Sequence, residues 1–533
     1  MFQNVSYFKT LIIAAYCLFG VTIAHGQTKL VQPAVGTTLV QSLVFPGQLQ
    51  GEEGLIIVPE NRENPSGRMI SVHYLRFPAK ETVGLPPVFV LPGGPGQCIT
   101  VEDIQQGLRQ KRYNKISEIV AFNRNRDVII VNQRGNSRVP GIHSLPSTWF
   151  AKPGKSSEPM SFEKSSRRLV AGLKASLKKC ESLNIDTRGY DILHLIDDVD
   201  AIRRVYGYEK IALRGSSFGS QWALAYLKRK PKHVDRMILS GVEPLDHGYD
   251  SADGIWNVFK KIEEEARKSK DVKLPDVGLL GAVRAVIARL EEQPVRIRGH
   301  HPRKNYTAKV VIGADDFRHY LTRPILDAPI HSRKMLEFWP KFVLEIYRED
   351  YQYLAAKIID DRPEYQHHSL LLTLVDNSLG ITANRETKLQ SESAYRWLGD
   401  QNWFYKATRN VTPTPVVSDE FRQPSVNQTP ILMIHGTLDL ATPIENAEEL
   451  LPYFPQGHLI TVKGGTHAAT HHAASVDPDF LEYLSEFMNS NDPSSIVQKI
   501  PNTIFLPALQ FKTSKDRSLF FELIQKKDNH QTK

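Results

Sequence analysis

Leu213–Leu224 reads LRGSSFGSQWAL, and the reading of its two adjacent serines decides what kind of molecule this is. Only Ser217 stands at the centre of a Gly-x-Ser-x-Gly spacing, between Gly215 and Gly219; Ser216 does not fit it. The residues before it, Lys210–Ser217 (KIALRGSS), form a short β-branched and apolar run of the buried-strand type. The residues after it, FGSQWALAYLKRK, read as a helix that stops near Pro231. A serine on a sharp strand-to-helix turn is exposed at the end of a sheet, with the N–H groups of the new helix beside its hydroxyl.

The same grammar recurs outward in both directions. Pro86–Leu91 (PPVFVL) runs into PGGPG, Asp127–Gly135 (DVIIVNQRG) into a glycine turn, and Arg236–Gly241, Pro430–Gly436 and His458–Gly465 behave alike. These runs are continuously apolar rather than alternating, as expected of parallel strands covered on both faces. Between them, Tyr190–Gly207 places Ile192, Leu195, Ile196, Val199 and Ile202 on one face at helical spacing. Alternating strands and helices predict right-handed crossovers and a doubly wound, mostly parallel α/β sheet. From about Pro244 to Pro430 the strand signal fades. WNVFKKIEEEARKSK, LLGAVRAVIARLEEQ and MLEFWPKFVLEIYREDYQYLAAKI read as helices, predicting a helical insertion. The expected division is 1–26 leader, 27–243 first part of the core, 244–429 helical cap, 430–490 second part of the core and 491–533 C-terminal extension.

Composition bounds the class. The chain has 533 residues, 41% hydrophobic and 23% charged, with a formal net charge of +9. Its basic residues are scattered, with clusters no longer than LKRKPK (Leu227–Lys232), which argues against a nucleic-acid footprint. Lys9, the apolar run Leu11–Ile23 and the small residues Ala24 and Gly26 around His25 form a cleavable-leader pattern, too short to span a bilayer comfortably. No later stretch is apolar enough to cross a membrane, so an exported protein, secreted or periplasmic, is expected. Of the three cysteines, Cys17 falls in the leader; Cys98 and Cys180 are left as either a bridge or two buried thiols.

A serine nucleophile needs a base, an orienting acid and oxyanion donors. His467, in VKGGTHAAT, follows a predicted strand on a glycine-rich loop; His471 and His472 fall inside a following helix. Asp439, in MIHGTLDLATP, follows another strand and precedes the histidine, with Glu445 as the weaker alternative. LPGGPG (Leu91–Gly96) offers backbone N–H groups, and Gly94 with Phe218 is the expected oxyanion hole. It is not a phosphate loop, because no Gly-Lys-Ser/Thr follows.

Loop, Ser, Asp and His, each at a strand end, make the α/β-hydrolase arrangement. Within that fold the chain resembles the proline iminopeptidase and tripeptidyl aminopeptidase family of serine exopeptidases. The stretches that carry the resemblance are GGPG, NQRGNS, DDVDAIRRVYGYEKIALRGSSFGSQWALAYL, ILSGVEP, HGTLDLATP and GGTH, roughly half the chain. Leu91 stands where the family commonly has histidine, Asn132 where it has aspartate, and Val375 where it often has cysteine. The resemblance implies an exported serine hydrolase that cleaves residues from peptide N-termini through an acyl-enzyme, with Ser217, His467 and Asp439 as its triad and no metal or cofactor. It also implies that cap carboxylates bind the substrate's free amine; Asp376 and the acids of Glu337–Asp350 are the candidates. A carboxylesterase on the same triad, or a hydrolase-fold binding protein, are the alternatives; the latter would usually have lost a triad member, and none is missing.

Overall fold

The computed structural model describes residues 35–530, apart from 82, 111–114, 140, 142–143, 327, 330 and 513–516. The expected leader 1–26, with Cys17, lies outside the described residues.

The strands in chain order are β1 (Thr38–Phe45), β2 (Leu49–Pro59), β3 (Met69–Phe77), β4 (Val88–Leu91), β5 (Val128–Val131), β6 (Thr148–Ala151), β7 (Ile211–Ser216), β8 (Val234–Ser240), β9 (Val295–His300), β10 (Thr307–Ile312), β11 (Gln366–Ser369), β12 (Ile431–Gly436), β13 (Gly457–Lys463) and β14 (Thr503–Phe505). Ten of them form one sheet in the order β1-β2-β3-β5-β4-β7-β8-β12-β13-β14. β5 through β14 are parallel along this order, while β1, β2 and β3 join antiparallel at one edge. Each parallel strand matches one of the apolar runs, except β14. The antiparallel edge and β14 were not anticipated. β1 alternates half-buried and exposed residues, and β14 is three residues long, so neither carries the continuous apolar signal of a covered strand.

Within β8, Met237 and Leu239 pack on one face with the helices Ile192–Val205 and Phe218–Arg229, while Ile238 packs on the other with Ala473, Phe480 and Leu484 of the helices Ala469–Val476 and Phe480–Asn489. Helices therefore cover both faces, the doubly wound arrangement. The chain has the α/β-hydrolase fold.

The stretch between β8 and β12 departs from a single helical cap in two ways. First, it contains a hairpin, β9–β10, whose first strand alternates half-buried and exposed residues; β11 also pairs antiparallel with β6, which precedes β7 in the chain. Second, it packs as two bodies. Residues from Ala252 to Ile359 build a separate apolar core around Phe259, Trp339 and Phe342. Helix Leu370–Leu379 instead joins the core of the sheet through Leu370, Leu371, Leu374 and Val375. The run expected as one helix from Met335 is two, Arg333–Tyr347 and Gln352–Asp361, broken where Glu349 takes a φ of 68°. Leu509, Phe511 and Leu519 of the C-terminal extension are buried in the same separate core. Cys98 and Cys180 are both buried free thiols.

Candidate active site

Strand register aligns the site. Leu91 of β4 pairs with Gly215 of β7, Ser216 with Ser240 of β8, Ser240 with Ile434 of β12, and Gly436 with Val462 of β13. The loops that leave these strands therefore emerge at one edge of the sheet, the C-terminal edge where open α/β sheets hold their ligands. They carry Gly94, Ser217, Glu243, Asp439 and His467.

Ser217 has φ 56° and ψ −134° and caps helix Phe218–Arg229. Turns that use this region normally place glycine there, and a non-glycine residue held in it signals a constrained site. Its N–H donates to Ser240 O (2.9 Å) and its carbonyl accepts from Ser220 N–H (2.7 Å) and Ser220 Oγ (2.6 Å). The flanking glycines are demanded by contact. A Cβ at Gly215 would lie 2.2 Å from Gly219 O, and one at Gly219 would lie 2.1 Å from Leu91 O. Phe218 is the first residue of the helix, so its N–H has no intrahelical acceptor. The Pro92–Gly96 loop lies against the elbow, with Gly93 Cα so close that a Cβ there would meet Ser216 O at 2.9 Å. Gln133 fixes this loop: its Nε2 donates to Pro92 O (3.1 Å) and Gly93 O (2.9 Å), and its Oε1 accepts from Gly96 N–H (2.6 Å). Next to it, Asn132 accepts from Ile99 N–H and donates to Ile99 O and His73 Nδ1, each at 2.8 Å. An aspartate could not make the two donated bonds, which accounts for the amide at this position.

His467 Nδ1 lies 2.8 Å from Asp439 Oδ2. The Asp439 carboxylate is fully buried, while the His467 ring keeps 21% of its side-chain surface exposed. Asp439 is well provided with donors: Ala441 N–H (2.9 Å) and Thr442 N–H (3.0 Å) on Oδ1, and the Thr442 hydroxyl (2.9 Å) on Oδ2. Burial works to raise its pKa, but the His467 charge and these donors win and hold it below the usual carboxylate range. The ring rests on Gly241, where an added Cβ would come within 2.8 Å of His467 Cε1. Gly241 follows Ser240, the residue whose carbonyl anchors Ser217, so serine and imidazole share one support. His472 is turned to Thr466 N–H (3.3 Å), and burial pushes its pKa down to about 4. Among the described residues it is His467, not His472, that meets Asp439. Glu445 instead accepts from Asn257 (3.1 Å).

Ser217 and Gly94 open into a chamber of about 270 Å³, which is also lined by Glu243, Asp250, His319, Arg323, His331, Trp403 and Tyr405. Glu243 follows β8, and its N–H donates to Ser220 Oγ (2.9 Å), the hydroxyl that also holds Ser217 O. Asp250 is fixed by paired backbone bonds to the Asn402 amide (2.7 and 2.9 Å). Both acids are half-buried, and neither carboxylate accepts a hydrogen bond among the described residues. Asp376 stands behind them beside Tyr405. Burial, reinforced by mutual repulsion, raises Glu243 to about 8 and Asp376 well above its ordinary value; burial alone raises Asp250, to about 7, against the pull of Arg323. Burial also pushes His331 down to about 4, and its ring lies 5.7 Å from that of His467.

Of the candidate amine-binding acids, Asp376 thus sits with the chamber group, whereas the acids of Glu337–Asp350 do not. Glu337 accepts from Gln510 N–H, Glu345 from Leu519 N–H and Glu349 from Arg289, so this helix holds the C-terminal segment. Glu243 and Asp250 were not singled out in the sequence. A signal existed for Glu243, because it stands in GVEP three residues after a strand end, as Asp439 does after β12.

Residues 86–269 match the model of the α/β hydrolase fold family, and residues 401–491 that of the TAP-like protein family. The second match includes Tyr405, Asp439 and His467. The chain is 24% identical over 288 residues to the serine protease Hip1 of Mycobacterium tuberculosis, and equally to that of Mycobacterium bovis, covering 49% of this chain and 51% of theirs. It spans about half the length of the curated relatives it matches. Solved structures similar to it include a serine hydrolase from the polyaromatic hydrocarbon-degrading bacterium Cycloclasticus zankles (10% identity, 86% of this chain and 100% of that chain, TM-score 0.31) and an epoxide hydrolase mutant from Vigna radiata (14%, 85% and 98%, TM-score 0.32). No helix among the described residues is long and apolar enough to cross a membrane.

Proposed function

We propose that this protein is an exported serine hydrolase that removes residues from the N-termini of peptides. The observation that carries the reading is a serine in elbow conformation that opens into the same small chamber as Glu243 and Asp250, whose carboxylates accept no hydrogen bond among the described residues. Ser217 Oγ attacks the peptide carbonyl, and its proton passes to His467 Nε2. Asp439 holds Nδ1–H and stabilises the imidazolium. The N–H groups of Gly94 and Phe218 receive the oxyanion. His467 then protonates the leaving amine, and a water activated by the same imidazole cleaves the acyl-enzyme.

The acids supply the preference for a chain end. A peptide ammonium brought to Glu243 and Asp250, with Asp376 behind them, favours loss of a proton from this group and pairs with the resulting charge in a partly enclosed chamber, where such a contact is stronger than in bulk water. An acylated amine brings no charge and leaves the acids unpaired. The similarity to serine proteases over half the chain and the TAP-like match support peptides over plain esters.

The test compares short peptide amides carrying a free or an acetylated N-terminus. Acetylation is expected to cost about 2–5 kcal/mol in kcat/KM, the order for unpairing a buried charge. Equal rates, or a marked preference for simple alkyl esters, would replace the aminopeptidase with an esterase. Loss of fluorophosphonate labelling in Ser217→Ala, but not in Ser216→Ala, checks the nucleophile separately.

A further inference from the structure

The chamber that holds the carboxylates also holds one cation. Arg323 lines it with more than a third of its surface uncovered. Its side chain makes no hydrogen bond or ion pair among the described residues, and its backbone N–H is held by Tyr320 O. Asp361, one of the two acids that act on it through space, is already occupied by the Tyr320 hydroxyl (2.9 Å) and Lys357 (3.4 Å). Asp250 is felt by Arg323 only through space. The guanidinium also acts through space on His331, whose ring lies 5.7 Å from that of His467, the group that protonates the leaving amine.

An uncommitted guanidinium in a ligand chamber asks for an anion, and its planar donor fork matches a carboxylate. The chamber's volume is near the low end of those that enclose a small ligand, so a substrate held by its ammonium at Glu243 brings its far end close by. His319 and His331 cannot take this role, because burial, together with the charge of Arg323, pushes their pKa values to about 3 and about 4 and keeps them neutral.

We propose that Arg323 is a specificity-determining residue that receives a substrate carboxylate, so that the enzyme acts best on short peptides with a free C-terminus. This rests on the aminopeptidase reading for the placement of the amine, but not for the carboxylate contact itself. A charge-assisted pair of this kind changes kcat/KM by about ten- to a hundredfold.

The experiment uses the full-length protein with three tripeptides that differ only at the far end: free acid, C-terminal amide, and amide with an acidic third side chain. The free acid is expected to exceed the plain amide by tenfold or more. Rescue of rate by the acidic side chain would assign the preference to any carboxylate at that distance; its failure would restrict it to the C-terminal one. In Arg323→Gln the acid-to-amide ratio falls to near one, because the free acid loses more rate than the amide does. Arg323→Lys keeps a charge without the fork and retains part of the ratio. Labelling of both variants by fluorophosphonate at the wild-type rate shows an intact nucleophile. A ratio near one in the wild type, or an equal loss on acid and amide in Arg323→Gln, overturns the proposal. Repeating the series on N-acetylated peptides separates the two claims: a loss of amine discrimination with the carboxylate preference kept would sink the aminopeptidase reading alone.

Discussion

The carboxylates around this site are of two kinds, and their environments are opposites. Asp439, after β12, is completely buried yet accepts from two backbone N–H groups and a hydroxyl and pairs with His467. Glu243 and Asp250 keep some open surface and accept nothing among the described residues. Burial penalises charge in both places, but only Asp439 has the compensation that overcomes it. The donors around Asp439 thus favour its charged form, whereas burial favours the protonated form of Glu243 and Asp250, and of Asp376 behind them. The difference teaches that burial alone does not set the charge of an acid. The donors around it do, and a site can leave that role to its substrate.

The largest effects should come from breaking the Asp439 side. Ser217→Ala is expected to lower turnover by roughly three or more orders of magnitude, measured on the best peptide substrate. Asp439→Asn keeps the shape but removes the charge that stabilises the imidazolium. A fall of about a thousandfold or more in kcat with KM little changed is expected; a change confined to KM would remove Asp439 from its role. Gln133→Leu releases the loop that carries Gly94 without touching either acid group. About a tenfold loss in kcat is expected, a fraction of what deleting an oxyanion donor costs, and unchanged kinetics would show that the loop holds itself.

The smallest effect separates the two sets by the sign of their pH dependence. Asp439 has a lowered pKa in the folded protein, so it contributes stability above its ordinary value of 3.8, and this is lost as pH falls toward the folded value. Glu243 is raised from 4.5 to about 8. Between these values the folded protein retains a proton that the unfolded chain has released, so stability declines as pH rises through that window. Thermal melting of the unliganded protein should therefore fall from about pH 5 to pH 8, and Glu243→Gln should flatten the decline. A decline unaltered by that substitution would remove Glu243 from the account.

Much of the Asp439 side was legible in the sequence. Buried parallel strands write continuous apolar runs, and the residues just past LRGS, LMIHG and TVKGG stand at their ends because register aligns those strands. The chamber's other wall was harder to read. Glu243, Asp250, Arg323 and Tyr405 come from a strand-end loop, a helix entry, a turn after Tyr320 and a short helix, and only tertiary packing brings them together. Asp376 is expected through the resemblance, but of the acids of Glu337–Asp350, Glu337 and Glu345 lie on a helix whose acidic face binds the C-terminal segment. The helical pattern could give their periodicity, not their partner. Strand β1 and the β9–β10 hairpin escaped for a related reason: β1 and β9 leave one face open and lack the unbroken apolar run of a covered strand, while in the buried β3 Ser71, His73 and Arg76 interrupt the run.

The central claim is that the chamber acids are protonated when empty and ionise to receive an ammonium. Proton release on binding measures this directly. Ser217→Ala protein would be titrated calorimetrically near pH 6.5 with a free-amine tripeptide and with its N-acetyl counterpart, in buffers of different ionisation enthalpy. The account predicts that the free amine binds with release of protons to the buffer, seen as a binding enthalpy that varies with the buffer. The acetylated peptide should bind more weakly and release none. A free-amine binding enthalpy identical in every buffer, or equal affinity for the two peptides, would contradict it.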